Sequence, residues 1–211
     1  MIKGGSGGSH TNAEGLLFEM KTDFASHVQK KLSSKYVLEP YVINEPSMVI
    51  KSSQSCYSVM DRLTGHLIGI ITRKKQFYNV LKQVYGINNV NHKLWEPDDV
   101  FFNLDKQTVF VIEKKWQNTT GSTDEKPFGF DAKRTLYQRL FNLQQDEPVV
   151  PVQFVAMFNS SWWLDGNHVD LKTGEITHMI NPQMYHDYFD ALRNRGIKIM
   201  YDTYDDWYFG L

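Results

Sequence analysis

The chain carries one cysteine, Cys56, in 211 residues. That excludes an internal disulfide framework and a cysteine-rich zinc site, and it suits a reducing, cytoplasmic compartment. Cys56 has no histidine close in sequence, which argues against a catalytic thiol. No apolar run approaches the ~20 residues of a membrane-spanning helix, so no membrane association is expected. The opening "MIKGGSGGSH" lacks the apolar centre of a secretory signal. Its Gly/Ser content reads as an appended linker or tag, and residues 1–10 are set apart from the fold. A strong charge of either sign is also missing. The net charge is −1, with 23 Lys+Arg against 24 Asp+Glu, so a surface for a polyanion would have to be local. No Gly-rich phosphate loop follows a strand, which argues against an ATPase. His66, His92, His168, His178 and His186 show no metal-ligand spacing.

What is present is a core. Apolar residues make up 41 % of the chain, enough for one domain over residues 11–211. Within it, 11–70 reads as an N-terminal helix with a specificity or scaffold part, and 71–211 as the part that carries the chemistry. Leu16, Leu17, Met20, Phe24, Val28 and Leu32 recur at helical spacing, predicting one helix over 13–32 with Asn12 as its cap. Residues 36–71 alternate short apolar runs with turn residues and read as strands or irregular structure. A helix is expected over 72–85, capped by Thr72 and stopped by Gly86. "VFFNL", an Asp105-Lys106 turn and "QTVFVIEKKW" read as a β-hairpin of two buried strands. A polar loop leads to a helix over 131–143 capped by Asp131. A core strand follows over 149–158, then a helix opened by Asn181-Pro182 and ended by Gly196, and a last strand "IKIMY". This order predicts an α/β or α+β fold, a mixed central sheet flanked by helices. Trp162 and Trp163 read as core. Tyr201, Tyr204, Trp207, Tyr208 and Phe209 read as a tail packed on the sheet, with Asp202, Asp205 and Asp206 outward.

The hairpin contains an anomaly. Its buried strands carry Asp98 and Asp99 at one end and Glu113, Lys114 and Lys115 at the other. Asp98 lies about seven residues before the turn and Glu113 about seven after it, so the hairpin brings them to the same open end. Glu113 and Lys115 point to one face of the strand, with Ile112 and Trp116 opposite. Two carboxylates buried side by side repel, and leaving them unpaired costs several kcal/mol. A divalent cation with oxygen ligands resolves the conflict, and a neighbouring lysine can position water or stabilise charge on a phosphate. That is a constellation for metal-assisted phosphodiester hydrolysis.

Pro97-Asp98, fourteen intervening residues and Glu113-Lys114-Lys115 resemble the motif of the PD-(D/E)xK nuclease superfamily. The continuation "EKKWQNTTGSTDEKPFGFDAKRTLYQRLF" is similar to a subgroup of type II restriction endonucleases. These carry a Gln two residues past the Lys, a Gly-Ser-x-x-Glu-Lys loop and a basic helix with a Tyr. Gln117, Gly121, Ser122, Glu125, Lys126, Lys133, Arg134 and Tyr137 stand in those places, and the closing "WYFGL" looks like the subgroup's chain ends. The resemblance covers roughly residues 70–143 and the tail.

The resemblance implies a restriction-endonuclease-like core, Mg²⁺ as cofactor with Mn²⁺ able to substitute, double-stranded DNA as substrate, a homodimer, and a bacterial or phage-encoded origin. By it, Asp98 and Glu113 are metal ligands, the Lys114 carbonyl is a further ligand, Lys115 is the catalytic lysine, and Gln117 orients substrate or water. An acid from the first helix is carried onto Glu19, with Glu14 in reserve. Asp99 rivals Asp98, but the family's Asp directly follows the Pro, which ranks Asp98 first. Ser122, Lys126, Lys133, Arg134 and Lys74 are DNA-contact candidates, weighed against an ordinary solvated helix face. Lys133 and Arg134 are adjacent and cannot point in one direction. Arg73, Lys74 and Lys75 would open a helix with cations, against its dipole, which suggests either phosphate binding or plain solvation. A structure-specific or repair nuclease of the same fold, and a non-enzymatic DNA-binding protein with a relic site, are the alternatives.

Overall fold

The computed structural model describes residues 8–43, 56–120, 122–143, 149–170 and 173–211. Its centre is a seven-stranded mixed sheet in the order β1-β2-β3-β4-β5-β6-β9. The strands are β1 (Tyr36–Pro40), β2 (Cys56–Asp61), β3 (Leu67–Thr72), β4 (Asp99–Asn103), β5 (Thr108–Lys115), β6 (Val152–Phe158) and β9 (Ile197–Tyr201). The first five form an antiparallel meander; β5, β6 and β9 are parallel. The expected α+β class, a mixed sheet flanked by helices, is therefore what the chain adopts. A short hairpin of β7 (Asn167–Val169) and β8 (Ile176–His178) stands apart from this sheet.

Each face of the sheet has its own core. On one, α3 (Gln76–Tyr85), α4 (Phe130–Asn142), the one-turn α5 (Ser160–Trp163) and α6 (His186–Asn194) bury Phe77, Tyr137, Phe141, Trp163 and Leu192 against a core that includes Val100, Phe102, Val109 and Val111. Parallel strands need crossovers, and α4 and α6 supply them. On the other face, α1 (Gly8–Lys21), α2 (Phe24–Lys31) and the C-terminal tail bury Phe18, Phe24, Tyr204 and Phe209 against Phe101, Phe110 and Ile112. The alternation in β4 and β5 assigns these faces: Val100, Val109 and Val111 point to α4, and Phe101, Phe110 and Ile112 to α2. Gly69 of β3 allows the sheet this packing, because a Cβ there would lie 2.2 Å from the Phe102 carbonyl oxygen.

Several local expectations change. The helix expected over 13–32 is two helices, because Asp23 breaks the run and caps α2, accepting from Ser26 N–H at 2.7 Å. Leu16, Leu17 and Met20 are consequently exposed, and Asn12 lies inside α1 rather than at its start. Gly8–His10, read as linker, belong to α1, and 44–55, within the run expected to alternate, lie outside the described residues. Thr72 caps no helix. It is buried in β3, paired with Val100, and α3 begins at Gln76. Gly86 ends α3 as expected, in the left-handed conformation. Gly129, not Asp131, stands at the N-cap of α4, and Asp131 lies in its first turn. Asn181 does cap its helical segment, accepting from Gln183 N–H at 3.1 Å. Trp162 and Trp163 are core, but Trp207 leaves the tail for solvent, where Lys198 Nζ lies over its ring at 5.3 Å.

Candidate active site

The β4–β5 hairpin forms with Asp99 opposite Ile112 and Val100 opposite Val111. Continuing that register by one residue puts Asp98 opposite Glu113. Alternation then sorts the charges by face. Asp98, Glu113 and Lys115 belong to the side of α4, whereas Asp99 and Lys114 belong to the side of α1 and α2.

Asp98 and Glu113 are both buried. One oxygen of Asp98 accepts from the Lys114 N–H at 2.8 Å, and the other is paired with Lys74 Nζ. Burial pushes the Asp98 carboxyl upward, but the Lys115 and Lys74 ammonium groups outweigh it and hold the group below its ordinary value. Glu113 Oε2 lies 3.3 Å from Lys115 Nζ, and Oε1 lies 2.9 Å from Lys133 Nζ. The Lys133 approach lacks hydrogen-bond alignment, so Oε1 is a buried oxygen with an ion pair and no hydrogen bond. Lys115 Nζ also donates to the Lys114 carbonyl at 3.0 Å. Lys115 thus touches Glu113 and the Lys114 carbonyl, and its charge acts on Asp98. Tyr137 closes the floor, its hydroxyl 3.4 Å from the Trp95 carbonyl and its ionisation pushed far up by burial.

The remaining expected residues divide. Glu19 joins the cluster from α1, with Oε2 3.3 Å from the Lys74 Nζ that also holds Asp98. Glu14 does not join it, and instead accepts from Trp116 Nε1 at 3.1 Å. Gln117 is buried just past β5. Its backbone exchanges two hydrogen bonds with the Asn159 side chain, both at 2.9 Å, and its Nε2 donates to Thr119 O at 3.0 Å. Lys133 faces the site, whereas Arg134 lies near Asp131 and against Gly196. Lys126 is exposed, and the Ser122 side chain and Gly121 lie outside the described residues.

Three features were missed. Asn159, at the end of β6, fixes the exit of β5; a lone Asn after an apolar run gives no sequence signal. The Arg73-Lys74-Lys75 cluster leads into α3, with Lys75 at its N-cap, but its side chains are paired with acids. Arg73 lies 3.3 Å from Asp23, Lys74 bridges Glu19 and Asp98, and Lys75 reaches toward Glu96 at 4.0 Å. Lys74 does so with φ 49, a left-handed conformation that a side chain rarely adopts. Asp99, the rival of Asp98, is committed elsewhere. It is paired with Lys114 Nζ at 2.5 Å and accepts from Phe24 N–H at 3.1 Å. Burial raises its carboxyl to about 6, against the lowering charge of Lys114.

Among the described residues, no three His, Cys, Asp or Glu side chains converge on one metal position. The donors at hand are Asp98, Glu113 and the Lys114 carbonyl, an all-oxygen set that suits Mg²⁺ with water and phosphate completing the shell. The buried Glu113 Oε1, without a hydrogen bond, fits a ligand oxygen. No helix among the described residues is long and apolar enough to cross a membrane. No protein-family model, curated protein or solved structure matches this chain.

Proposed function

We propose that the protein is a Mg²⁺-dependent endonuclease that hydrolyses double-stranded DNA at specific sites, of the type II restriction kind. One observation carries the reading: two buried carboxylates, Asp98 and Glu113, stand at opposed positions at one end of the β4–β5 hairpin, with Lys115 Nζ 3.3 Å from Glu113. The resemblance of these residues to the PD-(D/E)xK motif supports the same chemistry.

Asp98, Glu113 and the Lys114 carbonyl would hold the cation. When bound, Mg²⁺ supplies a lowered pKa for water and charge neutralisation at the phosphate. The chain's own groups do the rest. Water attacks phosphorus in line and gives up a proton to solvent, a P–O bond of the backbone breaks, and the departing oxygen takes a proton from solvent. Lys115 Nζ orients the attacking water and stabilises the charge gathered on the phosphate. Lys133, 2.9 Å from Glu113, and exposed Lys126 draw the backbone phosphates toward the site. Gln117, held by Asn159, keeps the strand end in place beside substrate. A palindromic site cut on both strands calls for a two-fold dimer, so a homodimer is part of the proposal.

The test is incubation with a long, defined DNA, with Mg²⁺ and with EDTA, read on a gel. Discrete bands that vanish in EDTA are expected. A smear would keep a nuclease and remove site specificity, in favour of a repair or structure-specific enzyme. Intact DNA with both Mg²⁺ and Mn²⁺ would overturn the proposal.

A further inference from the structure

On the far side of the same strand, Lys114 is a lysine whose side chain has no exposure, and its partner Asp99 is equally enclosed. A buried ion pair is rarely the most stable choice. Apolar residues of similar volume are commonly neutral or better, so the pair calls for a use beyond stability. Neither group faces the Asp98–Glu113 side, so neither touches substrate there.

What the pair does touch is the break between α1 and α2. Lys114 Nζ donates to the Glu19 carbonyl at 3.1 Å, ahead of the break. Asp99 accepts from the Phe24 N–H at 3.1 Å, behind it. The bend between them is fixed by other contacts. Thr22 Oγ1 donates to Phe18 O at 2.6 Å, and Tyr204 O–H donates to Thr22 O at 2.5 Å. Arg73 ties Asp23 back to the same corner at 3.3 Å. The consequence lies at Glu19. With its backbone held by Lys114, its carboxylate reaches Lys74 Nζ at 3.3 Å, and that ammonium also holds Asp98. Consecutive residues of β5 therefore serve two faces: Glu113 and Lys115 build the site, and Lys114 fixes the helix whose Glu19 reaches the Lys74 ammonium at its Asp98 end.

We propose that Asp99 and Lys114 are positioning residues, a buried clamp that holds Glu19 at the Asp98 end of the site. This rests on the nuclease reading above. Outer partners that orient ligating acids characteristically control metal affinity and rate about 10–100-fold.

The test uses the full chain. The double variant Asp99→Asn/Lys114→Met removes both charges at similar volume, so no lone buried charge is left. Mn²⁺ affinity is measured by calorimetry without DNA, and kcat and KM are measured on DNA with Mg²⁺. The expected result is a folded protein with Mn²⁺ affinity and kcat both down about 10–100-fold and KM for DNA little changed. Glu19→Gln should show a similar loss, and combining it with the double variant should add nothing, because both remove one function. Wild-type affinity and kcat in the double variant, or losses that multiply with those of Glu19→Gln, would overturn the clamp alone. Should the double variant lose its fold, Lys114→Arg keeps the charge and alters its reach, and carries the same comparison with Glu19→Gln. A wild-type protein that binds no Mn²⁺ would overturn the nuclease reading and the clamp with it.

Discussion

Replacing Lys74 with methionine should have two effects of opposite sign. Lys74 Nζ is shared between Asp98 and Glu19, so in the metal-free protein it is the cation paired directly with Asp98. Removing one partner of a fully buried pair costs about 3–5 kcal/mol, whereas an exposed pair is worth about 0–1 kcal/mol. The Lys74 side chain is 39 % exposed and that of Asp98 is 9 % exposed, so we take about 1–2 kcal/mol, between these limits. For a chain of this size that lowers Tm by about 2–8 °C. The same ammonium opposes a cation arriving at Asp98, so its loss should tighten Mn²⁺ binding roughly 5–30-fold.

The pH dependence follows from both partners. Asp98 is held below its ordinary value, so its share of stability is present above the usual carboxylate range and lost as pH falls through its folded value. Lys74 is shifted the other way: burial lowers it, but Asp98 and Glu19 outweigh burial and raise it. Its share is present below the usual lysine value and is lost only as pH rises through the raised one. In EDTA, the Tm gap between wild type and Lys74→Met should be flat from about pH 5 to pH 9 and close in acid. Differential scanning calorimetry with an Mn²⁺ titration decides it. An unchanged Tm, or weaker Mn²⁺ binding in the variant, would refute the reasoning.

Asp98→Asn should lose both Mn²⁺ binding and cleavage, measured by calorimetry and on a gel; full activity would move the ligand role away from Asp98. Cys56 should resist a disulfide reagent at pH 8, because burial raises its thiol to about 12, and should react at once in denaturant. Fast reaction of the native protein would show that β2 is open where the fold has it covered.

The hairpin was legible because both of its signals are local. Apolar strands flank a polar turn, and counting from that turn sets Asp98 across from Glu113. The shared face of Glu113 and Lys115 followed from the two-residue period alone. The N-terminal region was misread for an equally physical reason: Leu16, Leu17 and Met20 keep helical spacing with Phe24 and Val28, so nothing in the pattern marks the break, and only Asp23 as a cap reveals it. Lys74 looked like a helix-start cation because its acids, Glu19 and Asp98, are distant in the chain. The Asp99–Lys114 pair was hidden similarly. Each residue stood beside a more conspicuous neighbour, and their pairing depends on which face of the sheet α1 and α2 cover. Glu19 was proposed through the resemblance, and the fold does bring it to the cluster, through Lys74 rather than by direct contact with Asp98.

The central claim is that Asp98, Glu113 and Lys115 cut DNA. It is tested most directly by comparing wild type with Glu113→Ala and Lys115→Ala on one DNA, measuring binding and cleavage together in Mg²⁺. The account predicts that all three proteins bind and that only wild type cuts. A variant that cuts at the wild-type rate, or a wild type that binds DNA and leaves it whole, would contradict it.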